Sequence, residues 1–225
     1  MKVKVCGIKS YEDARTALDA GAWALGFIFH PSSRRYLDPE EAGRIVRKLP
    51  REVLSVGVFV DFPLGDLRAF QKTAGIRGVQ LHGSESPEYA RAVSADLIIK
   101  ALRVGEDFDL DRLRLFPGCR IMLDTFHPAA PGGTGKTFDW ELARRAAQAA
   151  PIIIAGGIGP GNVAEAIRKV RPYAVDVSSG VEVSPGVKDA EKIRELFRAI
   201  RSLEEEGGEE KEGEQDGSPA ASRGS

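Results

Sequence analysis

Cysteine is nearly absent: Cys6 and Cys119 are the two thiols among 225 residues. That excludes a disulfide framework and a CxxC redox pair, and it leaves too few thiolates for a structural zinc site. Long apolar runs are also missing, with nothing approaching the roughly 20 consecutive residues of a membrane helix. The opening stretch Met1 to Ser10 alternates like a strand and shows no signal-peptide apolar region, so the expectation is a cytoplasmic protein with no membrane partner. Net charge is lacking too, at -1, but it is unevenly spread. Residues 202–225 hold eight acids against two bases, which leaves that tail at -6 and residues 1–201 at +5. Basic residues are dispersed without interleaved aromatics, so a small anionic ligand is expected and nucleic acid is not.

What is present is a repeated alternation of short apolar runs and helical spacing. The runs are Val3 to Cys6, Ala24 to Phe29, Leu54 to Val60, Gly78 to Leu81, Leu97 to Ala101, Arg120 to Leu123, Ile152 to Ala155 and Ala174 to Val177. Between them, Tyr11 to Ala20, Pro39 to Leu49, Asp139 to Ala149, Gly161 to Val170 and Asp189 to Ile200 read as helices, several opened by Asp, Ser or Pro. Strands apolar on both faces imply a parallel sheet. Eight such units predict an α/β fold, a single-domain (β/α)8 barrel over residues 1–201, with 202–225 a disordered acidic tail. Barrels typically run to about 250 residues, so the loops must be brief. A doubly wound open sheet is the alternative.

In such a barrel the C-terminal strand ends form the active face. Cys6 stands there, whereas Cys119 precedes the sixth strand and belongs to the opposite face. Cys6 is read as a nucleophile or base rather than an inert small hydrophobe. Asp124, which ends the sixth strand, is either a capping carboxylate or the acid partner of Cys6. Gly156 and Gly157 after the seventh strand, and Ser178, Ser179 and Gly180 after the eighth, offer backbone N–H groups to a phosphate; tight turns are the plainer use of the same glycines. Arg34 and Arg35 are a solvated pair or a fork for a carboxylate. His82 either lines the mouth or serves structure. The segment Gly132 to Thr137 fails the P-loop pattern, since Ala130 occupies the position of its first glycine. It reads instead as a lid whose Lys136 approaches an anion. No metal-ligand set and no cofactor motif stands out, and oligomeric state leaves no signature.

Lys4-Val5-Cys6-Gly7-Ile8-Lys9, Ser33-Arg34-Arg35-Tyr36, Gln80-Leu81-His82-Gly83, Leu123-Asp124-Thr125, Gly132 to Trp140, Ala155-Gly156-Gly157-Ile158 and Asp176-Val177-Ser178-Ser179-Gly180-Val181-Glu182 together closely resemble the phosphoribosylanthranilate isomerases of tryptophan biosynthesis. The resemblance spans residues 1 to about 200 and leaves the acidic tail outside. It implies a cofactor-free Amadori rearrangement of a phosphorylated substrate, with Asp124 as general acid, Cys6 as general base and Arg35, or else Arg34, on the anthranilate carboxylate. That chemistry asks Asp124 to keep a proton near neutrality and Cys6 to be appreciably thiolate. A sugar-phosphate epimerase or an indole-forming synthase on the same scaffold would need a His/Asp metal set or a lysine acid. Lys100 lies near the end of the fifth strand, but no matching catalytic glutamate can be placed. A non-catalytic phosphate sensor would need neither Cys6 nor Asp124.

Overall fold

The computed structural model describes residues 1–105, 108–124 and 140–215, with side chains described up to Glu206. Eight strands, β1 (Lys2–Cys6), β2 (Ala24–Ile28), β3 (Leu54–Phe59), β4 (Gly78–Leu81), β5 (Leu97–Arg103), β6 (Arg120–Asp124), β7 (Ile152–Ala155) and β8 (Ala174–Val177), pair in parallel in chain order. The barrel closes where Lys4 of β1 registers against Asp176 of β8. The closed barrel is the architecture expected from the sequence, and the open-sheet alternative falls away.

The period of two along each strand divides the apolar residues into two cores. Val3 and Val5 of β1, Leu25 and Phe27 of β2 and Ile152 and Ile154 of β7 face outward into the layer shared with the helices. Ala24, Val56, Ile99, Ala101, Met122, Ile153 and Ala174 face inward and fill the barrel. The outward layer includes helices α1 (Tyr11–Ala20), α2 (Pro39–Val46), α3 (Leu64–Ala74), α4 (Pro87–Ala92), α5 (Trp140–Ala149), α6 (Val163–Val170) and α7 (Ala190–Gln215). Their starts follow from capping: Ser10 Oγ accepts from Asp13 N at 3.0 Å, and Asp38 caps α2 with Pro39 in its first turn. No helix among the described residues is long and apolar enough to cross a membrane.

The structure departs from the sequence expectation at several ends. α6 begins at Val163 rather than Gly161, because Asn162 Oδ1 takes the Gly159 N–H at 2.8 Å and closes the preceding turn. α2 stops at Val46 ahead of Pro50, which disfavours helix at the residue before it. The fifth unit has a 3₁₀ turn, Leu110–Leu115, that buries Leu113. A short antiparallel hairpin, β9 (Glu182–Ser184) and β10 (Val187–Lys188), turns at Pro185-Gly186 beside the barrel mouth. α7 continues helically past Arg201 to Gln215, with Glu204 paired to the N-terminal amino group and Glu206 to Arg168.

Candidate active site

A cavity of about 340 Å³ opens at the C-terminal end of the barrel. Cys6, Arg34, Arg35, His82, Asp124, Gly156, Gly157, Ser178 and Ser179, drawn from six strand ends, all line it. Two candidates stand apart. Lys136 lies outside the described residues, as does the proposed lid. Gly180 sits behind the lining, where an added Cβ would come within 2.0 Å of the Ile158 carbonyl oxygen, so its bare Cα lets the two loops touch.

Cys6 shares the inward face of β1 with Lys4, whose side chain is fully buried. Lys4 Nζ donates to Asp176 Oδ1 at 2.7 Å. Burial works against the ammonium, but Asp176 and Cys6 outweigh it and hold Lys4 charged. Space for this group comes from Gly26, the register partner of Cys6: a Cβ there would lie 2.7 Å from Cys6 Sγ and 3.0 Å from Lys4 Nζ. Gly26→Ala is therefore expected to lower stability by about 1–3 kcal/mol through overpacking and to displace the thiol, so that thermal unfolding shifts down and turnover falls together. An unchanged Tm would show that the wall yields.

Burial pushes the Cys6 thiol up, and Lys4 and Lys188 only partly oppose that shift, while Asp176 adds to it. The expectation of an appreciable resting thiolate is thus corrected. The positive neighbour is present, but desolvation of a nearly enclosed sulfur dominates.

Across the mouth, His82 Nε2 lies 2.9 Å from Asp124 Oδ2, and His82 Nδ1 lies 2.8 Å from the amide of Gln80. His82 therefore lines the site and also organises it. Gln80 is 1% exposed, and its Oε1 has no partner. With the amide nitrogen toward Nδ1, His82 donates its Nε2 proton to an Asp124 carboxylate. With the amide oxygen turned there, Nδ1–H donates to Gln80 and Nε2 accepts from a protonated Asp124. Both arrangements join Nε2 and Oδ2 by one hydrogen bond.

Arg35 is set by the return of its loop to β2, where Tyr36 bridges Ile28 and Leu37 N donates to the Ile28 carbonyl at 3.0 Å. Its Nε and Nη2 donate to Glu182 at 2.8 and 2.6 Å. These bonds hold the guanidinium charged, and among the described residues Nη1 carries no partner. Glu182 also accepts from Lys188 Nζ at 2.9 Å, which reaches the Ser178 carbonyl at 3.3 Å. Burial opposes the Glu182 charge, but Arg35 and Lys188 outweigh it and hold its carboxyl below the usual range. Arg34 lines the same cavity from a more exposed position.

On the remaining side, Gly156 and Gly157 have φ of 93° and 66°, which aim successive peptide groups in ways a side-chain-bearing residue resists. The Ser178 hydroxyl is buried in the lining with no partner. An orphaned donor beside glycine-rich loops and the start of α6 suits a phosphate oxygen.

Lys100 does not belong to this site. With Ile99 and Ala101 facing inward, it turns outside the barrel, where Nζ donates to Glu85 Oε2 at 2.6 Å and to the Gly83 carbonyl at 2.7 Å. Lys4, Gln80, Asp176 and Glu182 stand in the quoted motifs without an assigned role, and Lys188 lies outside them. The available signal for the first was the shared strand face of Lys4 and Cys6.

Fold and cavity together are those of a (β/α)8-barrel enzyme that gathers a thiol, a carboxyl–imidazole pair, guanidinium groups and glycine-bearing loops at one strand-end face. A family model described as N-(5'phosphoribosyl)anthranilate (PRA) isomerase matches residues 3–199. The chain belongs to that family and is an isomerase. The N-(5'-phosphoribosyl)anthranilate isomerase of Pelobacter propionicus is 46% identical over 206 residues, covering 92% of this chain and 98% of that protein. That of Trichlorobacter lovleyi is 49% identical over 199 residues, or 88% and 97% of the two chains. The crystal structure of phosphoribosyl anthranilate isomerase from Thermotoga maritima superposes with a TM-score of 0.83 at 41% identity, covering 90% of this chain and 99% of that one. Another solved structure of such an isomerase, at 38% identity, TM-score 0.80 and coverage of 90% and 99%, is a complex with reduced 1-(o-carboxyphenylamino)-1-deoxyribulose 5-phosphate.

Proposed function

We propose that the chain converts N-(5-phosphoribosyl)anthranilate to 1-(2-carboxyphenylamino)-1-deoxyribulose 5-phosphate, with Asp124 as general acid and Cys6 as general base. The observation that carries this reading is that a thiol and a carboxyl group line one cavity whose wall also holds the orphaned Ser178 hydroxyl. The relative bound to the reduced product analogue supports it. The phosphate rests on Gly156, Gly157, Ser178 and Ser179, with Gly180 shaping the loop from behind. Asp124 gives its proton to the furanose ring oxygen as the bond from carbon 1 to that oxygen breaks, leaving an iminium. Cys6, after giving up its thiol proton to solvent, removes the proton from carbon 2 as the thiolate and releases that proton to solvent before the next turnover. The resulting enolamine tautomerises to the ketone, and Asp124 regains a proton through His82 or water.

The reading needs Cys6 as a free thiol, which a reducing compartment preserves, and the chain is placed in the cytoplasm on that ground. The catalytic unit is residues 1–201, in keeping with a family match that ends at residue 199. Residues 202–225 stand outside the chemistry.

Arg35 supplies Nη1 to the anthranilate carboxylate while Glu182 fixes its plane. Arg35→Ala removes a charged hydrogen bond worth about 1.5–3 kcal/mol, so KM rises by roughly tenfold or more while kcat changes little. An unchanged KM moves the carboxylate contact to Arg34. The activity itself is tested by following anthranilate fluorescence after mixing with fresh phosphoribosylanthranilate in the presence of a chelator. Conversion indifferent to chelator is the expected result, and a folded sample that converts nothing overturns the reading.

A further inference from the structure

Behind the mouth, β1 and β8 meet across a buried ion pair, Lys4 Nζ to Asp176 Oδ1 at 2.7 Å, with side-chain exposures of 0% and 8%, in a barrel interior lined mainly by apolar side chains such as Met122, Ile153 and Ala174 together with the amide of Gln80. A buried ion pair contributes little net stability compared with apolar residues of similar volume. The fold by itself gives no reason for charge here. The placement does: Lys4 sits two residues below Cys6 on the same strand face, and Gly26 is cut back so that ammonium and sulfur share one space.

We infer that Lys4 and Asp176 are positioning residues for the thiol, with the Lys4 ammonium standing ready as the counter-ion of the Cys6 thiolate and Asp176 holding that ammonium in place while the thiol is protonated. This rests on the reading of Cys6 as the base. Asp176 has two opposed effects. It keeps Lys4 charged within a low-dielectric wall, and its own negative charge opposes formation of a second anion beside it. Burial, with a smaller contribution from Asp176, leaves Cys6 a protonated thiol at rest, and the Lys4 ammonium stabilises the thiolate once the proton has left for solvent. The other charged or titratable groups around the sulfur are Lys188 from β10, Arg34 and Arg35 from the loop after β2, and His82 and Asp124 at the same mouth. Lys188 and Arg35 are themselves neutralised in part by Glu182.

A pair that served stability alone, without facing the sulfur, would lower stability on loss of either partner and would change Cys6 alkylation, if at all, in the same direction for both. A thiolate counter-ion and its holder must answer in opposite directions. The test is the rate of Cys6 alkylation by iodoacetamide against pH, resolved from Cys119 by peptide mass spectrometry, with no substrate present. Lys4→Met should slow Cys6 alkylation at pH 8 by about tenfold or more, the equivalent of one unit in the thiol titration. Asp176→Asn should speed it, because the ammonium then has the sulfur as its nearest anion. Lys4→Arg should restore most of the rate. If Lys4→Met fails to fold, the double variant with Asp176→Asn leaves no unpaired buried charge and must still alkylate more slowly than the parent protein. In turnover, Lys4→Met should lower kcat with KM nearly unchanged. Shifts of the same sign in Lys4→Met and Asp176→Asn, or no shift in the former, overturn the inference. Full activity in Cys6→Ser would instead defeat the catalytic reading while leaving the alkylation result standing.

Discussion

Replacing Cys6 by serine should lower kcat by at least about a hundredfold, the usual loss when a general base is removed, with KM almost unaltered. The substitution preserves volume in a position that is 5% exposed, so the phosphate loops and Arg35 keep their places. What disappears is a group far more acidic than an alcohol, able to supply a small thiolate fraction that grows with pH. The serine hydroxyl beside the Lys4 ammonium remains neutral throughout the working range. Steady-state kinetics over several pH values reads the effect, and near-normal turnover would remove Cys6 from the base role. Because burial raises the thiol, the parent enzyme's thiolate fraction at neutral pH is small and grows as pH rises. Cys6 alkylation should climb across that range, levelling off only beyond the ordinary thiol range.

Asp124→Asn should be comparably damaging for a different reason. The asparagine side-chain oxygen can still accept from His82 Nε2, so the 2.9 Å contact and the shape of the mouth survive. The amide has no proton to deliver to the ring oxygen. A kcat loss of at least about a hundredfold with retained substrate binding is expected, measured by fluorescence turnover and by equilibrium binding of a product analogue. Weak binding with normal single-turnover chemistry would make Asp124 a binding group.

The strands were legible because runs buried on both faces leave continuous apolar segments, as in Ile152 to Ala155. Their C-terminal ends then located Cys6, Asp124 and the glycine loops without further information. Less legible was the inward direction of a face. The alternation Lys2-Val3-Lys4-Val5 reads as a strand with its lysines in water, yet the valines pack against the helices and Lys4 points into the barrel. Period two tells which residues share a face, and only closure of the sheet decides which face is enclosed.

Pairings between distant segments were equally hidden. Glu182 meets Arg35 across 147 positions of chain, and Lys188 reaches the same carboxylate only because Pro185-Gly186 turns the hairpin. The glutamate absent from the reading of Lys100 is Glu85, and it lies on the outer side of the wall, where the pair ties the β4 loop down rather than facing substrate. The protonated resting thiol of Cys6 was hidden for a related reason. A nearby lysine was foreseeable in kind, but the depth at which both groups are buried was not.

The central claim is that two groups on one mouth divide the reaction, Asp124 opening the ring and Cys6 taking the carbon-2 proton. Substrate deuterated at carbon 2 tests this division most directly when turnover is compared between the two variants. In Cys6→Ser, proton abstraction limits the rate and a primary isotope effect is expected; in Asp124→Asn, ring opening limits it and the effect collapses toward unity. A full isotope effect in Asp124→Asn together with none in Cys6→Ser would contradict the account.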